Sequence, residues 1–162
     1  MKNVIVVRHA KSSWDNITQR DFDRPLNDRG NRDAPMMAQR LLKRGVEISA
    51  FISSPANRAF STATYFAEAF DVKKKNIVVA DALYHAEVNV FYDVINGLID
   101  ELKTVVLFSH NPGITSFVNS LTQTHIDNIP TCGIFGVKAD IKSWRDFGLG
   151  TREFWFFDYP KM

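Results

Sequence analysis

In the stretch NVIVVRHAKSSWDN, residues 3–16, an apolar run is followed at once by an arginine, which is charged, and a histidine, which can be protonated. The four aliphatic residues 4–7 predict a buried strand, because a short continuous apolar run is typical of a strand covered on both faces. Arg8 and His9 follow this strand directly. Two such residues at the end of a buried strand are either a surface coincidence or part of a binding site.

Strand and helix patterns alternate along the rest of the chain, which is typical of an α/β fold. We predict strands at 3–7, 50–52, 76–79, 104–108, 133–138 and 153–159, and helices at 28–44, 55–70, 89–102 and 112–121. Residues 10–27 read as a polar loop, long enough to have a function of its own. The apolar runs favour a mostly parallel sheet, and the last two strands are predicted to form an antiparallel edge.

Prolines bear on two of the predicted helix starts. Ser54 is predicted to cap the second helix, with Pro55 at its first position, because both residues are preferred there. Pro35 lies inside the first helical pattern, where it removes a hydrogen bond, so we expect that helix to begin effectively near Pro35.

The composition is that of an ordinary globular protein. The length of 162 residues fits one domain over residues 1–162, with 45% hydrophobic and 23% charged residues. The net charge of +2 is carried by dispersed basic residues, so nucleic acid is not expected as a partner. Cys132 is the only cysteine and is expected to be a buried apolar residue. No signal-peptide pattern or membrane-length apolar run is present, which favours a cytoplasmic protein without a membrane partner.

Three predicted buried strands end in residues that suit one anionic ligand. The first strand is followed directly by Arg8 and His9. The second is followed by Arg58 in the first turn of its helix, and the strand at 104–108 is followed by His110. Because ligands of open α/β sheets bind beyond the carboxyl ends of the strands, we expect these side chains to meet.

The chemistry of this set indicates phosphoryl transfer. An arginine fork matches phosphate oxygens, and a helix N-terminus favours an anion. A neutral histidine has a ring nitrogen that can attack phosphorus, and a second, protonated histidine can stabilise the charge that develops on the oxygens. The chain has no phosphate-binding loop of the nucleotide-dependent type, and its histidines lack metal-ligand spacing, so neither a cofactor nor a metal is expected.

Four motifs carry a resemblance to a known family: VVRHAKSSWD, DRPLNDRG, SSPANRAFSTA and VVLFSHNPGI. Together they resemble the histidine phosphatase superfamily, and within it the small SixA-type phosphohistidine phosphatases. The resemblance implies a three-layer α/β/α fold like that of phosphoglycerate mutase. It implies that His9 is the nucleophile that takes the phosphoryl group. The residues that it implies for phosphate binding are Arg8, Arg58, His110 and, in the DRPL motif, Arg24.

Two positions leave questions open. Ala10 stands where the family usually has glycine, and alanine is acceptable there if its φ is negative. Glu87 is the candidate general acid, because many members of the family have a carboxylate between the second arginine and the second histidine. Alternatively, Glu87 is a helix-start glutamate that the helix dipole stabilises, and a phosphoramidate leaving group can arrive already protonated.

The middle of the chain, between residues 70 and 104, is short. Larger relatives insert lid segments in this interval, and a lid encloses a small substrate. An open site suits a phosphorylated side chain of another protein, so phosphohistidine on a protein is the expected substrate. A small phosphate ester, hydrolysed by the same residues, is the closest alternative. A non-catalytic module that binds phosphoproteins is a further alternative, although binding alone would not need a nucleophile.

Overall fold

The computed structural model describes residues 1–162 and contains six strands and four α-helices. The strands are β1 (Lys2–Arg8), β2 (Ala50–Ser53), β3 (Val78–Val79), β4 (Thr104–Ser109), β5 (Ile134–Asp140) and β6 (Thr151–Asp158). The α-helices are α1 (Asp28–Lys43), α2 (Asn57–Ala69), α3 (Val88–Asn96) and α4 (Gly113–Leu121). Every predicted strand and helix is therefore present, with ends that differ by at most two residues except at the end of α3.

The six strands form one sheet in the order β3-β2-β4-β1-β5-β6. β1 pairs in parallel with β4, with Arg8 opposite Ser109, and β4 pairs in parallel with β2. β5 is antiparallel to β1, and β6 is antiparallel to β5. The prediction of a mostly parallel sheet with an antiparallel edge is confirmed. The carboxyl ends of β1, β2 and β4 lie at the same edge of the sheet.

Helices cover both faces of the sheet, because successive residues of a strand point to opposite faces and both sets are apolar here. Val4 and Val6 of β1 belong to the core formed with α3 and α4. Ile5 and Val7 belong to the core formed with α1 and α2. The two cores contain 20 and 18 buried residues, so the sheet is covered about equally on its two faces. The three-layer prediction is confirmed.

Both proline-based expectations about helix starts are wrong. α1 begins directly after Asn27, whose side chain accepts the Gly30 N–H at 2.9 Å, and Pro35 lies inside the helix. The buried apolar face of α1 offsets the one hydrogen bond that Pro35 removes. α2 begins at Asn57, not after Ser54. The Ser54 hydroxyl accepts the Ala56 N–H at 3.2 Å in the turn before the helix and also shares a hydrogen bond with a histidine at another strand end.

α3 is shorter than predicted. It ends at Asn96, and Gly97, a poor helix former, follows. Leu98 and Leu102, which extended the apolar pattern, pack against the core from an irregular segment. None of the four α-helices is both long and apolar enough to cross a membrane.

Candidate active site

His9 and His110 lie side by side at the carboxyl edge of the sheet. Each follows directly after a strand, β1 or β4, and the His9 N–H donates to the Ser109 carbonyl at 3.1 Å. The two ring centroids are 5.2 Å apart. Only 8% of His9 and 6% of His110 is exposed. The parallel pairing of β1 with β4 therefore brings together two histidines that are far apart in the sequence.

The hydrogen bond of the His9 ring determines which nitrogen can react. Nδ1 lies 2.7 Å from the Ala10 carbonyl oxygen, which can only accept, so Nδ1 carries the proton and Nε2 keeps a free lone pair. Burial, together with the positive charges of Arg58 and Arg8, lowers the pKa of His9 to about 3. The Ala10 hydrogen bond acts in the opposite direction but does not outweigh them. His9 is therefore neutral near pH 7, as a nitrogen nucleophile must be.

Ala10 fits the position where the resemblance implies glycine. Its backbone is not among those with positive φ, and its methyl group is fully buried. The Ala10 N–H donates to Thr62 Oγ1 on α2 at 2.9 Å. Alanine is therefore not strained here, and it leaves the position of the His9 ring intact.

Two arginines meet at the carboxylate of Asp21, which lies in a 3-10 turn of the 10–27 loop. Arg58 Nη2 lies 3.0 Å from Oδ2, and Arg24 Nη1 lies 2.9 Å from Oδ1. Tyr84 Oη donates to Oδ2 at 2.8 Å. Burial raises the pKa of Asp21, but hydrogen bonds from Tyr84 and the two arginines outweigh burial and hold the pKa at about 2. The positive charges of both guanidinium groups also lower the pKa of His9.

His110 has one bonded and one unpartnered ring nitrogen. Nε2 shares a hydrogen bond of 2.8 Å with Ser54 Oγ, and the buried Nδ1 has no partner. Burial, with smaller effects of His9 and Arg58, lowers the pKa of His110 to about 3. His110 is therefore neutral near pH 7 in this structure, whereas we expected a protonated ring. A phosphate dianion beside the ring would reverse this effect, because a nearby negative charge raises the pKa of a histidine.

Arg8 provides the third guanidinium group of the site, in addition to those of Arg24 and Arg58. Its Nη1 donates to the Ile129 carbonyl at 2.9 Å, and its buried Nε has no partner. Burial and the charge of Arg58 lower the pKa of Arg8. Guanidinium groups held close enough to repel one another are typical of a site for a strongly charged anion.

Glu87 lies beside an open cleft that also includes His110. The cleft measures about 310 Å³ and is lined by His85, Ala86, Glu87, Val88, His110, Asn111, Pro112, Gly113 and Ser116. Glu87 directly precedes α3 and is exposed, and its side chain makes no capping hydrogen bond to the helix. The carboxylate is free to contact a leaving group in the cleft, and its role as a general acid stays a prediction.

Sequence reasoning missed three side chains of this cluster. The sequence pattern predicts Ser54 as a helix cap and indicates no role for Asp21 or Tyr84. The spacing of Asp21, three residues before Arg24 in one loop, is a signal that could have suggested an ion pair. Nothing in the sequence around Tyr84 indicates its contact with Asp21, which is 63 residues away.

Known proteins share both the sequence pattern and the fold. Residues 4–90 match the model of the histidine phosphatase superfamily (branch 1). Phosphoserine phosphatase 1 of Hydrogenobacter thermophilus is 33% identical over 86 residues, which cover 50% of this chain and 40% of that protein.

Two solved structures are similar over nearly the whole chain. The protein histidine phosphatase SixA complexed with tungstate has a TM-score of 0.83 at 25% identity, and the match covers 98% of this chain and 97% of that chain. A structure from Agrobacterium tumefaciens, provisionally assigned as phosphohistidine phosphatase SixA, has a TM-score of 0.80 at 25% identity and 98% coverage of both chains.

Proposed function

This chain belongs to branch 1 of the histidine phosphatase superfamily, and we propose that it removes the phosphoryl group from phosphohistidine on a protein. The observation that carries the proposal is the neutral His9 ring. Its Nε2 lone pair is free, and the positive charges of Arg8, Arg24 and Arg58 lower its pKa. An uncharged nucleophile in a cationic pocket suits attack on a phosphoryl group. The arginines balance the charge of the oxygens and leave the lone pair available.

In the first step, the Nε2 lone pair of His9 forms a bond to phosphorus, and the bond from phosphorus to the substrate nitrogen breaks. The bonding electrons stay on the leaving nitrogen, which takes a proton from Glu87 or arrives in a ring that is already protonated. The phosphoryl oxygens are assigned to the three guanidinium groups of Arg8, Arg24 and Arg58.

In the second step, water attacks the phosphorus of phosphorylated His9. The bond between phosphorus and Nε2 breaks, its electrons return to the ring, and a proton of the water passes to Glu87 or to solvent. Inorganic phosphate and free His9 result. His110, protonated once the phosphoryl group has bound, stabilises the charge on the oxygens in both steps.

Support for a protein substrate comes from the open cleft beside His110. Between β3 and α3, where a lid would lie, the chain contains only one 3-10 turn. An uncovered site admits a side chain that is still attached to a protein surface. The similarity to the SixA structures supports the same substrate class.

A small phosphate ester is the second candidate substrate. It is favoured by the 33% identity to phosphoserine phosphatase 1 over 86 residues. An ester leaves as an alkoxide unless it is protonated, whereas a protonated imidazole leaves readily. Glu87→Gln is therefore expected to slow ester hydrolysis more than phosphohistidine hydrolysis, if Glu87 is the acid.

The test compares rates on a histidine-phosphorylated protein with rates on p-nitrophenyl phosphate, phosphoserine and 3-phosphoglycerate. We expect kcat/KM for the phosphohistidine protein to be higher by at least about 100-fold. A preference for one of the esters would favour the second candidate. Binding of phosphate without turnover of any substrate would contradict both candidates and favour a non-catalytic module.

The nucleophile is tested with His9→Ala on the same substrates. We expect its kcat/KM to fall by on the order of 10³-fold or more. His125→Ala is the matched control, because His125 is exposed and pairs only with Asp127 at 3.0 Å. Full activity of His9→Ala would contradict the mechanism.

A further inference from the structure

Asp21 places a carboxylate in contact with two of the guanidinium groups assigned to the phosphoryl oxygens. It contacts Arg58 at 3.0 Å and Arg24 at 2.9 Å, and Tyr84 Oη donates to it at 2.8 Å. Its side chain is 43% exposed, so it can turn toward water without crossing the core. A carboxylate that contacts anion-binding arginines has one of two roles. It supports the arginines by holding them in position, or it competes with the anionic ligand for them.

The arginines do not depend on the Asp21 carboxylate for their positions. Arg58 Nη1 donates to the backbone carbonyl of Asp21 at 2.8 Å, a bond that any side chain at this position would allow. Arg24 Nε donates to the Ser13 carbonyl at 3.0 Å, and its Nη2 donates to Ser12 Oγ. Each guanidinium is therefore held by a second contact. What the carboxylate adds is mainly its negative charge.

The negative charge of Asp21 lowers the net positive charge of the pocket. Arg8, Arg24 and Arg58 contribute three positive charges, and the carboxylate of Asp21 removes one, which leaves two while the histidines are neutral. Inorganic phosphate carries between one and two negative charges near pH 7, because its second pKa lies close to 7. Without the carboxylate, the pocket would hold three positive charges and would retain phosphate more tightly.

We propose that Asp21 acts as an internal anion that competes with the phosphoryl group for Arg58 and Arg24. It lowers the affinity of the pocket for free phosphate and so speeds release of the product. The inference rests on the proposed function, because inorganic phosphate is the product of that reaction. On this proposal, the 10–27 loop, which carries Asp21, affects the rate at which the product leaves.

Asp21→Asn tests the inference, since it removes the charge and keeps the size of the side chain and the backbone carbonyl. Asp23→Asn is the matched control: Asp23 lies in the same 3-10 turn but pairs only with the exposed Arg20 at 2.9 Å. Titration calorimetry with inorganic phosphate and with tungstate measures the affinity. We expect Asp21→Asn to bind both anions on the order of tenfold more tightly and Asp23→Asn to bind them like the wild type.

An unchanged or weaker affinity of Asp21→Asn for both anions would overturn the inference, and a weaker affinity would identify Asp21 as a support for the arginines. Asp21→Ala, which also cannot compete, is expected to tighten binding in the same direction. A thermal unfolding scan of each variant shows that the folded protein is being compared. The titrations contain no substrate, so failure to hydrolyse phosphohistidine would contradict the proposed function and leave the anion result standing.

Product inhibition gives a second readout. The inhibition constant of inorganic phosphate during turnover of p-nitrophenyl phosphate is expected to fall on the order of tenfold in Asp21→Asn. A support for the arginines would act in the opposite direction, because poorly placed guanidinium groups weaken phosphate binding. An inhibition constant that is unchanged or higher would therefore count against the inference.

Discussion

Thr62 Oγ1 accepts the backbone N–H of Ala10 at 2.9 Å, although 52 residues separate the two. The same hydroxyl donates to the Arg58 carbonyl at 2.8 Å. It therefore joins the residue after the proposed nucleophile to the helix that carries a proposed phosphate ligand.

Thr62→Val is expected to lower the free energy of unfolding by about 1–3 kcal/mol, because it leaves the buried Ala10 N–H without a partner. Urea unfolding measures this loss. Thr62→Ser keeps the hydroxyl and is expected to lose less stability than Thr62→Val. Equal losses in the two variants would show that packing of the threonine methyl group, and not the hydrogen bond, is what matters.

Ser54→Ala removes the only hydrogen-bond partner of His110 Nε2. We expect kcat/KM on p-nitrophenyl phosphate to fall by roughly tenfold or more, since the His110 ring is no longer held in place. Ser53→Ala is the control: Ser53 is equally buried, but its hydroxyl donates to the Ser54 carbonyl and not to a histidine. Similar losses of activity in both variants would argue against a specific effect on His110.

The low pKa values of His9 and His110 make the free energy of unfolding depend on pH. In the unfolded chain each ring takes up a proton near 6.5, whereas in the folded protein each does so only near pH 3. Between these values the unfolded state binds more protons, so stability is lost as the pH falls from 6.5. The pKa of Asp21 moves from 3.8 to about 2 on folding, so Asp21 adds to the loss only below about pH 4.

Urea unfolding at about pH 7 and about pH 4.5 measures the contribution of the histidines. His110→Gln cannot titrate and is expected to lose less stability than the wild type between these two pH values. A wild-type free energy of unfolding that stays constant over this range would contradict the low pKa values.

Gly113 lies where α4 meets the segment before α3. A methyl group on Gly113 would overlap with the Ala86 carbonyl oxygen. Gly113→Ala is expected to push away the segment that carries Tyr84 and Glu87, and to cost about 1–3 kcal/mol of stability together with part of the activity. At Gly148 the nearest atom to such a methyl group is 3.8 Å away, so Gly148→Ala is the control. Thermal unfolding and p-nitrophenyl phosphate turnover measure both effects, and equal behaviour of the two variants would contradict this argument.

The sheet could be predicted because its central strands β1, β2 and β4 are short apolar runs. Parallel strands have their carboxyl ends at the same edge of a sheet, so His9 and His110, which follow β1 and β4, are expected there. Ser54 could not be placed, because Ser-Pro satisfies the local rules for a helix start and only a contact 56 residues away gives it a different role. Asp21 lies in a polar loop without periodicity, so nothing local indicates that its carboxylate meets Arg58, 37 residues later. Local patterns determine elements, whereas these contacts arise from packing between distant segments.

β1 has hydrogen-bonded neighbours along both sides, β4 and β5, whereas the only strand-type pairing of the 10–27 loop is the bridge between Ser12 and Leu26. The other contacts of the loop are scattered hydrogen bonds, several of them from side chains such as Arg24 and Arg58. Amide protons of β1 are therefore expected to exchange with solvent only through opening of the whole domain, and those of the loop through local fluctuations. Mild heating would release the loop that carries Asp21 and Arg24 while His9 stays in place. Activity would then be lost at temperatures where the sheet is still folded, and cooling would restore it.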